Sequence, residues 1–237
     1  MASLMCIAHR GGPLMNDQPL PENSLAAISR ALDAGVDAVE IDIYQVEGEL
    51  LVTHDRRLGR VVSGQGIITD LPLAYLREQT LENGESLPTL WDVLSLVVDR
   101  VILNIEIKGA NCVPVLKQQL EAFIRDHQLS DEHYIVSSFD HQQLYQSLQL
   151  MPGVRRAALI EGIPLDYAQC CEPLKAYAFN THLSFITEEL LDDARKRGLK
   201  NWVYTVNNED DWTQLLALGV DGVFTDKPDR LQKFNLK

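Results

Sequence analysis

Four short stretches place titratable and charged side chains where apolar runs end. His9-Arg10 closes the run at residues 4–8, and Val39-Glu40-Ile41-Asp42 carries two carboxylates two residues apart. Thr53-His54-Asp55 ends the next run, and Asn104-Ile105-Glu106-Ile107-Lys108 repeats the two-residue spacing with an acid and a cation. Residues two apart in a strand share a face. Glu40 and Asp42 therefore point one way, as do Glu106 and Lys108, while the intervening Ile41 and Ile107 turn to the opposite side. A buried carboxylate is costly unless it is paired or binds a metal. Three on inward faces repel one another unless a cation lies among them, and hard oxygen donors without cysteine suit Mg²⁺ or Ca²⁺. Glu40, Asp42 and Glu106 are thus candidate metal ligands. The structural alternative is one inward ion pair to Lys108 with the other acid at a rim. Each acidic motif alone favours that alternative. Together with two strand-end histidines they favour the metal.

His9 and His54 are the candidate acid–base pair, because imidazole both takes and gives a proton near neutral pH. Arg10 offers a planar fork and Lys108 a point charge to an anion at the same place. Gly11 and Gly12 leave backbone room beside them. His127, His133 and His141 read as surface residues, and His182, which follows a strand end, reads more readily as structural than as a substrate contact. The four cysteines, Cys6, Cys112, Cys170 and Cys171, form no paired ligand motif and read as reduced, mostly buried thiols.

These residues need a frame that brings distant strand ends together. Short β-rich runs fall at 5–9, 38–45, 50–54, 101–108, 134–138, 157–160, 176–180, 201–206 and 222–225. Helical patterns fall at 24–34, 90–98, 113–127, 141–150, 188–197, 210–218 and from about 229. Thr89 and Thr187 sit as N-caps with acids in the first turn, and Gly35, Gly198 and Gly219 follow helical runs as C-caps. Alternating strands and helices imply a parallel sheet, and eight or nine strands in 237 residues imply a closed (β/α)8 TIM-type barrel. Such a barrel builds its site at the carboxyl ends of its strands, where these four motifs lie.

The rhythm breaks once. Too few residues separate the strand of Glu40 from that of His54 for a parallel crossover, so these two should form a hairpin with Gly48 in the left-handed turn position. An odd loop, Val46 to Gly48, would put His54 on the face of Glu40 and Asp42. An even loop would turn it away. Residues 55–88 then read as an insertion with at most one short helix near 73–79, beside the active face. A single domain spanning residues 1–237 is expected.

With 46% hydrophobic and 23% charged residues the composition is globular. A net charge of −13, from 21 basic and 34 acidic residues, argues against nucleic acid or an anionic membrane as the main partner. The start, MASLMCIAHRGG, lacks a signal-peptide pattern, and no apolar run approaches roughly 18 residues. A cytoplasmic protein without stable membrane association is expected.

The block IAHRGG…LPENSLAAISRALDAGVDAVEIDIYQVEGELLVTHDRRLGR resembles the glycerophosphodiester phosphodiesterase family, of the bacterial cytosolic type. So do SLPTLWDVL, LNIEIKG, VSSFD, WVYTVNN and GVDGVFTDKPDRL, in order over nearly the whole chain. The resemblance implies a TIM-barrel phosphodiesterase with a divalent metal. It implies hydrolysis of glycerophosphodiesters such as glycerophosphocholine or glycerophosphoethanolamine to sn-glycerol 3-phosphate and an alcohol. Its motif residues fall on His9, Arg10, Glu40, Asp42, His54, Glu106 and Lys108, the set already chosen on physical grounds. Asn23, in PEN, reads as a supporting residue or helix cap. Where the family has Trp this chain has Tyr204, which with Phe139 could line the pocket for the glyceryl end. Both aromatics read equally well as core.

Three rivals remain at this level. A lysophospholipase D-like phosphodiesterase would need an apolar groove for an acyl chain. A metal barrel enolising a sugar phosphate has no evident need of two histidines here. A non-catalytic phosphodiester-binding barrel would not need the intact His9, His54 and three acids.

Overall fold

The structure, a computed structural model, describes residues 3–236. The described residues form one nine-stranded sheet and eight α-helices. The strands are β1 (Met5–Ala8), β2 (Ala38–Val46), β3 (Glu49–Val52), β4 (Ile102–Ile107), β5 (Tyr134–Ser138), β6 (Arg155–Ile160), β7 (Ala178–His182), β8 (Lys200–Tyr204) and β9 (Gly222–Thr225). The helices are α1 (Leu25–Asp33), α2 (Leu73–Leu76), α3 (Leu90–Val97), α4 (Cys112–His127), α5 (His141–Leu150), α6 (Glu188–Lys196), α7 (Glu209–Ala217) and α8 (Pro228–Asn235). Eight strands pair in parallel, and β1 closes the ring by pairing with both β9 and β2. The expected (β/α)8 barrel is therefore present. β6 and β7 are joined by a connection whose regular element is a short 3-10 turn, Gln169–Cys171.

The pleat sorts the side chains as the two-residue period requires. Ile7, Ala38, Ile135, Ala157, Ala178, Trp202 and Phe224 fill the barrel interior. Ile41, Ile43, Ile105 and Ile107 face outward and pack with α-helical residues such as Leu116 and Phe123. The helices start where the sequence signals them. Ser24 and Thr187 accept the backbone N–H of Ala27 and Leu190, and Thr89 with Asp92 forms a reciprocal capping box.

β2 outruns its neighbours, and this builds the mouth. On one edge it pairs with β1 only at Ala38 and Val39, and further along the same edge it pairs with β3 from Ile43 to Val46. Between these stretches lie Glu40 and Asp42. β3 is antiparallel to β2, so the hairpin is confirmed. Its loop is Glu47-Gly48, both with positive φ (48° and 86°), a two-residue turn of the kind that matches strand twist. The loop is even, not odd, and strict pairing would set Thr53 opposite Asp42 and turn His54 outward. β3 ends at Val52, however, and the chain bends away at Thr53 after its N–H bonds the Asp42 carbonyl (3.0 Å).

Residues 55–88 contain a 3-10 turn (Ile68–Asp70) and α2, as the single short helix anticipated. The segment buries Val62, Ile68, Leu76, Leu81 and Leu87 against Tyr44, Val46 and Leu51 of the hairpin. This second apolar cluster fixes the insertion to the hairpin beside the mouth. All four cysteines are free, three of them buried and Cys170 half-buried. Among the described residues no helix is long and apolar enough to cross a membrane.

Candidate active site

β1 stops at Ala8 because the next residues cannot continue it. Arg10 takes φ 50°, ψ 35°, and Gly12 takes φ 66°, where a Cβ would meet Pro228 at 2.6 Å. A non-glycine residue in the left-handed region is strained unless its surroundings hold it there. Arg10 is held from both sides. Its N–H donates to Glu40 Oε2 (2.8 Å), and its carbonyl accepts the N–H of Asn23 (2.8 Å). The Asn23 side chain in turn seals the free edge of β2: its amide donates to Asp42 Oδ2 (2.9 Å), and its oxygen accepts the Asp42 N–H (3.3 Å).

Glu40 and Asp42 project from β2, and Glu106 from the neighbouring β4, where Asp42 pairs with Glu106 in register. Glu40 and Asp42 are 2% and 1% exposed, and carboxylate oxygens of all three lie within 4.8 Å of one another. At that separation two full charges repel by at least about 3 kcal/mol even at an effective dielectric near 20. Burial and the charges of Asp42 and Glu106 push the Glu40 carboxyl well above its ordinary range, and burial and Asp42 raise Glu106. Two cations lean on this group. Lys108 Nζ is 2.9 Å from Glu106 Oε1 and 3.9 Å from Asp42 Oδ1, and Arg10 Nε is 3.5 Å from Asp42 Oδ2. Two cations do not neutralise three carboxylates, and Glu40 Oε1 is buried without a hydrogen-bond partner among the described residues. The donor set is all oxygen, inward and under-compensated, so it fits a divalent cation.

His9 lies at the same mouth. Its Nδ1 is 2.7 Å from Asp226 Oδ1 beyond β9, and Asn207 clamps that carboxylate. The Asn207 amide donates to Asp226 Oδ2 (2.8 Å), and its oxygen accepts the Asp226 N–H (2.9 Å) and the Thr225 hydroxyl (3.0 Å). Burial opposes ionisation of Asp226, but His9 and Asn207 outweigh it and hold the carboxyl below its usual range. A carboxylate only accepts hydrogen bonds, which assigns the proton to His9 Nδ1 and leaves Nε2 free. His54 has a similar partner, with Nδ1 3.0 Å from Asp55 Oδ1. Burial lowers the His54 pKa against the pull of Asp42, and Arg10 and Lys108 add to the lowering.

Lys108 also stands 5.7 Å from the Phe139 ring centroid. Burial works against its ammonium, yet Glu106 and Asp42 raise its pKa overall. Phe139 is 45% exposed and meets Tyr204 edge-to-face at 5.9 Å, and the Tyr204 hydroxyl donates to the Ile160 carbonyl (2.9 Å). These rings form one wall of the mouth. His182 lies on that wall, 5.5 Å from Tyr204, with its own Nδ1 accepting the Ser184 N–H.

Seven residues expected from strand ends, His9, Arg10, Glu40, Asp42, His54, Glu106 and Lys108, thus converge at the barrel mouth, with Phe139 and Tyr204 beside them. His54 arrives by the bend after β3 rather than by loop parity. His127 is exposed and His133 partly so, as expected of surface residues, whereas half-buried His141 turns inward and places Nε2 3.1 Å from the Leu159 carbonyl. Sequence reasoning missed Asp226, Asn207, Glu22 and Arg60. Asp226 had a signal, since it is a carboxylate immediately after the strand end in FTDKP.

Residues 9–230 match the model of the glycerophosphoryl diester phosphodiesterase family. The chain is 30% identical over 237 residues to a glycerophosphodiester phosphodiesterase of Caldanaerobacter subterraneus, covering 96% of both chains. It is 32% identical over 227 residues to one of Bacillus altitudinis, covering 90% of this chain and 92% of that one. Among solved structures, an Oleispira antarctica phosphodiesterase in complex with its product sn-glycerol-3-phosphate superimposes with a TM-score of 0.86. That pair is 27% identical, over 98% of this chain and 97% of the other.

Proposed function

The chain belongs to the glycerophosphoryl diester phosphodiesterase family and is a glycerophosphodiester phosphodiesterase, and from that premise we propose how it works and on what. The substrates are glycerophosphodiesters such as glycerophosphocholine and glycerophosphoethanolamine, and the products are sn-glycerol 3-phosphate and the free alcohol. The observation that carries this reading is the pair of histidines, each backed by an aspartate through Nδ1, at one mouth with three buried carboxylates. The product bound by the Oleispira antarctica relative supports the same substrate class.

Glu40, Asp42 and Glu106 would hold Mg²⁺ or Ca²⁺. When bound, the cation would neutralise phosphate charge and make phosphorus more electrophilic. Arg10, whose Nε lies 3.5 Å from Asp42 Oδ2 and whose Nη1 donates to Glu22, brings a guanidinium to the mouth whose remaining donors suit a phosphate oxygen. Lys108 adds a positive charge beside it, where charge accumulates in the transition state. The nucleophile is the substrate's own 2-hydroxyl. One histidine accepts its proton as the oxygen attacks phosphorus and closes a five-membered cyclic phosphate. The other histidine gives a proton to the departing alcohol oxygen as that P–O bond breaks. The roles exchange when water opens the ring at the 2-oxygen and leaves phosphate on carbon 3. Phe139 and Tyr204 wall the glyceryl end. A cytoplasmic setting and a part in lipid and glycerol metabolism accord with four free thiols and this substrate class.

Phe139, Ile163 and Leu165 are exposed apolar side chains following the ends of β5 and β6, so a lysophosphatidyl diester is the second substrate to try. The test is a panel of glycerophosphodiesters and lysophosphatidylcholine, assayed for glycerol 3-phosphate and for phosphorylated alcohol. Glycerol 3-phosphate is expected, with activity lost in a chelator and restored by Mg²⁺ or Ca²⁺. Full activity after verified removal of metal contradicts the ligand assignment. Release of phosphocholine contradicts the direction of cleavage, and lysophosphatidate as the main product selects the second reading.

Lys108→Met keeps the side-chain length and removes the cation. It is expected to leave metal affinity nearly intact and to lower kcat/KM by about 10²-fold, the scale of losing one charge-stabilising donor. Steady-state kinetics with metal titration checks this, and unchanged kinetics would return Lys108 to a structural role.

A further inference from the structure

Arg60 belongs to the insertion, yet it reaches both halves of the site. Its Nη2 donates to Asp55 Oδ1 (2.9 Å), and its Nε donates to Asp55 Oδ2. Asp55 Oδ1 is also the atom that faces His54 Nδ1. The same guanidinium donates to Glu22, through Nη1 to Oε2 (3.2 Å) and through Nη2 to Oε1. Glu22 Oε1 in turn accepts from Arg10 Nη1 (3.1 Å). One side chain therefore links the backing of a proton carrier to the backing of the anion clamp. The Arg60 hydrogen bonds are the largest cause holding Asp55 at about 2, so Asp55 remains an acceptor.

We propose that Arg60 is a positioning residue: it clasps Asp55 behind His54 and Glu22 behind Arg10, so the insertion sets the His54 tautomer and the aim of the Arg10 guanidinium. The clasp rests on the proposed roles of His54 and Arg10. Two parallel bonds to one carboxylate fix an orientation that a lysine ammonium cannot reproduce. With Asp55 locked as an acceptor, the His54 proton stays on Nδ1 and Nε2 stays free for chemistry. The Arg60 side chain is 54% exposed. Exposed ion pairs add little to stability, so a merely structural strap would leave the His54 ring state and kcat unmoved.

The test compares the metal-free full-length chain with its Arg60→Gln and Arg60→Lys variants by ¹⁵N–¹H spectra of the histidine rings. His54 is assigned by the resonance lost in His54→Asn. The wild type is expected to show His54 as the Nδ1–H tautomer. Arg60→Gln should give a mixture of tautomers at an unchanged melting temperature, Arg60→Lys should restore the wild-type tautomer in part, and Arg57→Gln, on an exposed neighbour, should change nothing. In turnover, Arg60→Gln should lower kcat about 10-fold or more, as an orienting partner of a catalytic group does, and raise KM through Arg10. Adding it to Asp55→Asn should lower kcat no further through His54, because both act on that ring, while the rise in KM through Arg10 persists. An unchanged His54 spectrum in Arg60→Gln, or an unchanged kcat in an active protein, overturns the clasp. If the wild type releases no glycerol 3-phosphate, the functional reading fails, and the tautomer comparison still decides the role of Arg60.

Discussion

A substrate analogue lacking the glyceryl 2-hydroxyl is expected to bind and to turn over at least about 10³-fold more slowly than its parent, because an intramolecular nucleophile replaces much of the barrier to bringing in an oriented water. The loss should fall on kcat, since the phosphate, Arg10 and Lys108 contacts are unchanged. The corresponding 1,2-cyclic phosphate should be hydrolysed to glycerol 3-phosphate, because it enters at the second half of the same proton exchange. Two histidines with the same carboxylate-backed arrangement suit a route in which base and acid exchange roles. Hydrolysis of the deoxy analogue at close to the parent rate would remove the hydroxyl from the mechanism and leave water as the nucleophile.

Glu40→Gln separates the cost of the site from its use. The substitution keeps the shape of a side chain that is 2% exposed and deletes a carboxyl whose ionisation burial, Asp42 and Glu106 all oppose. The amide oxygen can still accept the Arg10 N–H that Glu40 Oε2 accepts now. The metal-free variant should therefore melt at or above the wild-type temperature, as expected when an uncompensated buried charge is removed. Its metal-induced rise in melting temperature should shrink or vanish, since that rise reports affinity for the folded state. Activity should fall by more than about 10²-fold, beyond the usual effect of losing a residue that only supports a metal ligand. Thermal scans with and without Mg²⁺ or Ca²⁺, alongside turnover, give both readouts. Near-wild-type turnover with an intact metal shift would remove Glu40 from the ligand set.

Much of this site was legible because its residues follow the strand period. Glu40 with Asp42, and Glu106 with Lys108, sit on alternate positions of β2 and β4, and the intervening isoleucines pack outward as alternation requires. Strand ends and caps were readable for the same local reason. What was not readable depends on distance along the chain. His9 meets Asp226 across 217 residues, and Asn207 becomes a clamp only because β8 and β9 are neighbours in the ring. Arg60 resembles any charged residue of a loop until the insertion folds onto the hairpin through Val62, Ile68 and Leu76. His54 shows the limit of register arguments. The two-residue turn fixes parity inside β3, but pairing ends at Val52 and the bend re-aims the ring. His141 shows another: the first residue of a surface helix, it turns back to the end of β6 because α5 packs there.

The clamp around His9 and the clasp around His54 differ in kind. Asp226 is held by hydrogen bonds from His9 and the Asn207 amide, whereas Asp55 is paired with the Arg60 guanidinium. Two chemically alike histidines thus sit in unlike fields, the starting condition for unlike roles in each half-reaction.

The most direct measurement is a crystal structure with sn-glycerol 3-phosphate and either Mg²⁺ or Ca²⁺ bound. The cation is predicted on Glu40, Asp42 and Glu106, with the phosphate between Arg10 and Lys108 and the histidine Nε2 atoms facing its ester and terminal oxygens. A phosphate bound away from the two histidines, for instance in the cleft of about 590 Å³ between Tyr44, Asp70 and Asn111, would contradict this account.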